Sequence, residues 1–227
     1  MSKLLRDSDG SSLVEFTLVF PVLMLVALGT VDFVFYTLDM GQANKAAYRG
    51  ARSAIVSTPV ATGINDPTYT PANNGLPCSD DAGNPTGSCP AIPTVVCTGR
   101  DVSAGGGGTC TGGYAFNDVA FSQLTEPRGI YPKMKEIFPR LERSNVEITY
   151  RQTGLGFSGR PGGLPLSVTV SYRCLTSKFF FIGGLAGLVY PGPPAGCPAG
   201  TPTGPQLAAF ATSLPSEDLR SDDLAPL

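Results

Sequence analysis

"LVEFTLVFPVLMLVALGTVDFVFYTL", Leu13 to Leu38, is the stretch whose reading decides the fold. As an α-helix its 26 residues would run about 39 Å, and a hydrocarbon core of about 30 Å needs only about 20 residues. Phe16 to Val31 gives 16 residues without a charge, ten of them Leu, Val or Phe. At about −0.3 to −0.6 kcal/mol each, those residues contribute roughly −3 to −6 kcal/mol to insertion. A charge at the membrane centre costs about +2.5 to +3.5 kcal/mol, but the two acids stand near the ends of the run, Glu15 at its start and Asp32 near its end. The segment can therefore span. Asp32 reads as an end-of-span charge that reaches the interface. Glu15 sits just inside the apolar run, where an acid is costly and calls for a role.

Three readings compete for the N-terminus. A secretory signal peptide would use Lys3 and Arg6 as a weak basic region and Ala27-Leu28-Gly29 as a small-x-small cleavage site. Asp7, Asp9 and Glu15 are poorly placed for it, and the apolar run continues past that site. A plain membrane anchor is the second. The third is a prepilin-type leader, a short polar stretch ending in glycine, followed by four residues and a glutamate. Gly10-Ser11-Ser12-Leu13-Val14-Glu15-Phe16 has that pattern. Cleavage after Gly10 would make Ser11 the first residue and Glu15 the fifth. Glycine suits a peptidase that needs an extended, unhindered backbone. The new amine of Ser11 would enter a bundle of apolar helices as a cation, and pairing it with the Glu15 carboxylate of a neighbouring subunit, or transiently its own, would relieve the burial penalty of both. Pro21 removes one helix hydrogen bond and should kink the helix.

The longer stretch "GSSLVEFTLVFPVLMLVALGTVDFVFYTLDMGQANKAAYRGARSAIV" resembles the N-terminal domain of TadE-like proteins, minor pseudopilins of tight-adherence (Flp) pilus machines. The resemblance rests on Gly10, Glu15-Phe16, Pro21, Asp32-Phe33, Ala46-Ala47 and Gly50-Ala51-Arg52. It covers about residues 10–56. It implies processing by a prepilin peptidase and action beside other pilins or minor pseudopilins. The rest of the chain resembles the family only loosely, in its order of elements, and the Cys-rich insert and the charged stretch before Gly10 depart from the family pattern.

Composition bounds the rest. Charged residues are 15% of 227, and the net charge of −2 leaves no electrostatic footprint for nucleic acid. With 28 glycines and 21 prolines, the chain expects a modest core carrying long loops. The six cysteines, Cys78, Cys89, Cys97, Cys110, Cys174 and Cys197, include no C-x-x-C pair, and there is no histidine. That speaks against a structural zinc site and for disulfides in an oxidising compartment. Neighbour pairing is the simplest of the 15 possible pairings: Cys78 with Cys89, Cys97 with Cys110, Cys174 with Cys197. No cofactor and no metal are expected.

Beyond Leu38 the pattern turns amphipathic. Ala43, Ala46, Ala47, Gly50, Ala51 and Ala54 form a small-residue face at helical spacing, suited to packing on the head or on a partner helix. Pro59 marks the approximate helix end. Residues 58–113 read as loop. The run "AGGGGTC" lacks the G-K-[ST] ending of a phosphate loop, and Asp80-Asp81 lacks calcium-loop spacing and reads as an exposed turn. Met134, Ile137, Phe138 and Leu141 follow helical spacing, with Pro132 in a first turn and Pro139 threatening a kink. "NVEITYRQ" and "LSVTVSYR" alternate apolar and polar residues, which predicts two antiparallel strands with one buried face, covered by the long helix. "QLAAFATSL" from Gln206 is a weaker third strand. Gly154 to Gly159 spells G-x-G-x-x-G, but Pro161 and Pro165 follow and no acid occurs between Ile148 and Glu217. A hairpin loop is favoured over a dinucleotide site. "FFFIGGLAGLVY", Phe179 to Tyr190, is too short to span and reads as a buried strand-loop or an exposed apolar patch.

The expected class is α+β: a long N-terminal transmembrane helix, then a small head of helix on antiparallel sheet with disulfide-bearing loops. The expected divisions are a leader at 1–10, the helix at 11–57, a Cys/Gly/Pro-rich loop region at 58–114, the head at 115–215 and a tail at 216–227. No constellation for catalysis is present, so the chain is not expected to be an enzyme. The functional expectation is a structural minor pseudopilin. It would sit in the inner membrane with a periplasmic head, its partners being the membrane, a prepilin peptidase and other pilins. The rival is a membrane-anchored, disulfide-stabilised binding or adhesive domain, not cut after Gly10.

Overall fold

The computed structural model describes residues 9–64, 75–89, 91–101, 105–125, 129–158, 165–177 and 212–215, together with Phe179, Phe181, Cys197 and Leu207. The expected leader through Ser8 and the tail at 216–227 lie outside the described residues. The chain is α+β and divides into two compact units, Met1–Met40 with Thr176–Leu207, and Gly41–Leu175 with Ala208–Leu227.

The first element is helix α1, Asp9–Ala54, 46 residues long and continuous through Pro21. It is the one helix among the described residues long and apolar enough to cross a membrane. In its first unit every residue from Leu13 to Leu28 is exposed, large apolar side chains included. A helix that is apolar all round has no single face to turn inward, and needs a lipid or protein environment on all sides.

The second unit is built on a five-stranded antiparallel sheet of order β3-β2-β5-β6-β7. Its strands are β2 (Val95–Gly99), β3 (Gly108–Cys110), β5 (Val146–Gln152), β6 (Leu166–Tyr172) and β7 (Thr212–Pro215). Two short strands, β1 (Ala61–Thr62) and β4 (Ala115–Phe116), pair separately. The central hairpin is the one that alternation predicts. Val146, Ile148 and Tyr150 on β5, and Leu166, Val168, Val170 and Tyr172 on β6, are buried, while the residues between them are partly exposed. Ile148 faces Val170 and Tyr150 faces Val168 across the pair.

The end of α1 is part of this unit's core. Ala43, Ala46, Ala47, Ala51 and Ala54 have no exposed surface. The Tyr172 hydroxyl donates to the Ala43 carbonyl at 2.9 Å. A Cβ at Gly50 would lie 2.5 Å from Met134 Sδ. The small-residue face thus packs within the head. Helix α3, Ile130–Ile137, buries Ile130, Tyr131 and Met134. Pro132 falls in its first turn, and Pro139 ends the helix rather than kinking it. Phe138, the residue before Pro139, leaves helical geometry at φ −124° and ψ 85°. Phe138 and Leu141 are buried, as their spacing suggests, but beyond the helix. A short helix α2, Asp118–Ser122, is capped by the Asn117 side chain, which accepts from the Ala120 N–H.

The sequence reading is corrected at residues 58–113. They are not loop throughout, since β2 and β3 lie here and β2 pairs with β5 from Val95–Tyr150 to Thr98–Glu147. The weaker third strand is seen as β7 at Thr212–Pro215, while most of "QLAAFATSL" before Thr212 lies outside the described residues.

Candidate functional site

The Gly10–Ser11 bond lies in helical backbone, within α1 as described from Asp9, where the peptidase reading expects an extended chain. Glu15 and Phe16 lie on the helix in exposed positions, and the Phe16 and Phe20 rings are 5.5 Å apart. Pro21 is exposed within the helix. Among the described residues no ion pair or hydrogen bond engages the Glu15 side chain. Glu15, Phe16 and Pro21 thus all lie in the exposed apolar stretch of α1 from Leu13 to Leu28.

Asp32 is placed differently from its sequence reading. It is 1% exposed rather than a free interfacial charge. Its carboxylate accepts the Phe181 N–H, at 3.3 Å to Oδ1 and 3.0 Å to Oδ2. Two turns on, Asp39 Oδ2 accepts the Ser177 hydroxyl at 3.1 Å. Between them Tyr36 and Phe179 have ring centroids 6.4 Å apart. Asp39, Ser177 and Phe181 went unrecognised in the sequence. The available signal was the spacing of Asp32, Tyr36 and Asp39, which shares one face of an otherwise apolar helix. Of "FFFIGGLAGLVY", the described residues are Phe179, partly exposed, and Phe181, exposed; the remainder lies outside the described residues.

In the second unit, Cys78 is bonded to Cys89 and Cys97 to Cys110. Cys174 of this unit and Cys197 of the first are each disulfide-bonded as well, so no cysteine is free. Cys97 and Cys110 are register partners on β2 and β3, with Cα atoms 4.1 Å apart. This bond therefore staples a short edge hairpin whose turn is the glycine-rich run. Asp80 accepts the Ala82 and Asn84 N–H groups and the Asn84 side-chain amide. These donors, those of Asn84 first, hold its carboxyl below the usual range. Its oxygens are turned into its own loop, as the turn reading expects. Gly154 and Gly156 take positive φ in the β5–β6 connection, the hairpin that was favoured over a dinucleotide site.

The Tyr150 hydroxyl accepts the buried Val60 N–H at 2.9 Å, and burial raises the phenol's pKa. An open groove of about 740 Å³ runs along the outer side of this unit, lined by Lys45, Tyr48, Arg49, Arg52, Lys133 and Ile137 among others. Lys133 donates to the Ser53 hydroxyl, and Arg49 lies 4.0 Å from Glu136. Both partners of that pair are exposed, which leaves it little energetic weight. Among the described residues no group of three or more Cys, Asp or Glu is arranged to hold a metal ion.

One N-terminal apolar helix that fits a single membrane span, joined to a disulfide-bonded α+β unit, defines the class: a protein suited to membrane association through its N-terminus. Residues 10–52 match the family model for TadE-like protein. That match lies wholly within α1 and includes Gly10, Glu15, Pro21 and Asp32. It points to a role in the tight-adherence pilus system. No curated protein and no solved structure matches the chain.

Proposed function

We propose that this chain is a structural minor pseudopilin that takes part in assembling a tight-adherence, type IV-like pilus. The observation that carries the proposal is the exposure of α1 on every side from Leu13 to Leu28, with Glu15 the one ionisable group in that stretch. A plain anchor needs the apolar surface but gains nothing from the acid. A helix that moves from lipid into a bundle of like helices needs both, the apolar surface for packing and the acid for a neighbour's N-terminal amine.

On this reading a prepilin peptidase cuts after Gly10, freeing the Ser11 amine. Glu15 of one subunit then pairs with Ser11 of the next, and Phe16 and Pro21 shape the contact between helices. The partners are other pilins or minor pseudopilins of the same machine. The disulfide-bonded unit lies on the periplasmic side of the inner membrane, the compartment in which such bonds form and persist. The role is structural rather than catalytic.

N-terminal sequencing of the protein from its native cells tests this. A mature chain beginning at Ser11 is expected. A start at Thr30 would establish a signal peptide instead. Intact residues 1–10 in cells with an active prepilin peptidase would leave a plain anchor.

A further inference from the structure

The unexplained feature of the first unit is a carboxylate buried within an apolar helix and satisfied by a distant part of the chain. Asp32, Tyr36 and Asp39 occupy one face of α1. Against them run Ser177 at Asp39, Phe179 at Tyr36 and Phe181 at Asp32. The segment is therefore antiparallel to the helix, and it descends toward Leu13. Its contacts run from Asp32 to Asp39, seven residue steps and about 10 Å of helix rise, and its own four residue steps can extend about 13 Å.

The level it reaches is informative. Leu13 to Val31 spans 19 residues, which is about 28 Å of helix and close to the thickness of a hydrocarbon core. Asp32 follows directly, at the edge of the core. The chain delivered there is phenylalanine-rich and continues in sequence as "IGGLAGLVY". Phe33 and Phe35 on the helix are exposed at the same level, as is Phe181 at 54%. Aromatic residues collect at the membrane–water interface, where a ring meets the acyl chains while polar groups remain hydrated. An uncompensated carboxylate at that depth would be unfavourable, and so would an unbonded backbone N–H. Asp32 and Phe181 remove both costs together.

We propose that Ser177, Phe179 and Phe181 form a second membrane contact, in which Phe179 and Phe181 sit in the interfacial layer of a phospholipid bilayer and the Asp32 and Asp39 carboxylates hold them at that depth. This rests on the reading that Leu13–Val31 spans the membrane, and the test separates the two.

The chain contains no tryptophan, so a single introduced one reports alone. Full-length protein carrying Phe181→Trp, or Leu23→Trp as a mid-span marker, is placed in phosphatidylcholine vesicles with bromine high or low on the acyl chains. The Leu23→Trp fluorescence should be quenched by the deep bromines. The Phe181→Trp fluorescence should be quenched by the shallow bromines and shielded from aqueous iodide. Adding Asp32→Ala should abolish the shallow quenching of the Phe181→Trp probe and open it to iodide, with the Leu23→Trp signal unchanged. Asp32→Asn, which keeps an acceptor, should retain it.

A Phe181→Trp probe open to iodide and unquenched by bromine, beside a normally quenched Leu23→Trp probe, would overturn the proposal and leave the span standing. An unquenched Leu23→Trp probe would overturn the span and this proposal with it. Shielding from iodide that appears only at high protein-to-lipid ratio, without bromine quenching, would assign the surface to a second copy and overturn the lipid contact.

Discussion

Helix α1 carries two kinds of apolar surface. From Leu13 to Leu28 the side chains are mainly Leu, Val and Phe, and all of them are exposed. From Ala43 to Ala54 the buried positions are Ala, Gly and Ser, with none larger. Both stretches are helical and both are apolar where it matters, yet their partners differ. Lipid tails or like helices can conform around bulky side chains, so size there adds contact area. A folded sheet-and-helix core has fixed walls, so the backbone approaches closely only where the side chains are small. Size and distribution around the helix, more than hydrophobicity, separate the part built for a fluid or assembling environment from the part built into a fixed core. The exposed residues between the alanines, Lys45, Tyr48, Arg49 and Arg52, confirm a single buried stripe there.

The largest expected effect on folding comes from breaking the stripe. Ala47→Leu forces a branched side chain into a fully packed position. Overpacking of this kind costs about 1–3 kcal/mol, and occasionally more. Thermal melting of the purified protein should show the disulfide-bonded unit melting several degrees lower, or failing to fold. A smaller effect is expected from Tyr172→Phe. The hydroxyl that ties β6 to the Ala43 carbonyl is lost, but that carbonyl keeps its helical bond, so the loss should be about 0.5–1.5 kcal/mol in denaturant melts. The smallest comes from the other surface. Leu23→Ala removes as many atoms as Ala47→Leu adds, but at an exposed position. The melt of the disulfide-bonded unit should move by less than about 0.5 kcal/mol. A shift as large as that of Ala47→Leu would mean the two surfaces do not differ in kind.

How much of this could be read beforehand follows the same physics. The long apolar helix and the β5–β6 hairpin are legible because each carries a long, regular pattern, unbroken apolar residues in one and strict alternation in the other. The alanine stripe was legible as a face, though not whether its partner was the head or another helix. Strand β2 was missed because Val95-Val96-Cys97-Thr98-Gly99 begins with two valines, which blurs the alternation, and because it lies among glycines and prolines. Its inward positions end in Gly99, where a Cβ would lie 2.5 Å from the Arg143 carbonyl oxygen and 2.6 Å from the Phe121 ring. Close approach by distant residues imposed that glycine, and no local rule signals it. Cys97 and Cys110 are legible as a neighbouring pair, but that they are register partners across a hairpin depends on β2 and leaves no mark in their spacing.

The candidate site residues divide in the same way. Gly10 and Glu15 stand out locally, as a glycine before and an acid within an apolar run. Asp32 was assigned the interface because an acid near the end of a span usually reaches water. Its partner, the Phe181 N–H, lies 149 residues away in sequence. A contact of that separation is made by tertiary structure and leaves no periodic trace. Ser177, 138 residues from Asp39, is hidden for the same reason, whereas Asp39 shares a helix face with Asp32 and Tyr36 and that spacing is its one trace.

The central claim is that the exposed half of α1 exists to assemble, with Glu15 as its one specific polar contact. The most direct measurement is Glu15→Gln in the native cells, scored on one strain by membrane fractionation, N-terminal sequencing and pilus counts. If Glu15 pairs with a neighbour's Ser11 amine, glutamine leaves that cation buried without its counter-charge, at a cost of about 3–5 kcal/mol. The account predicts a protein that is inserted in the membrane and begins at Ser11, in cells that make no pili. Wild-type pilus numbers from the same strain would contradict it.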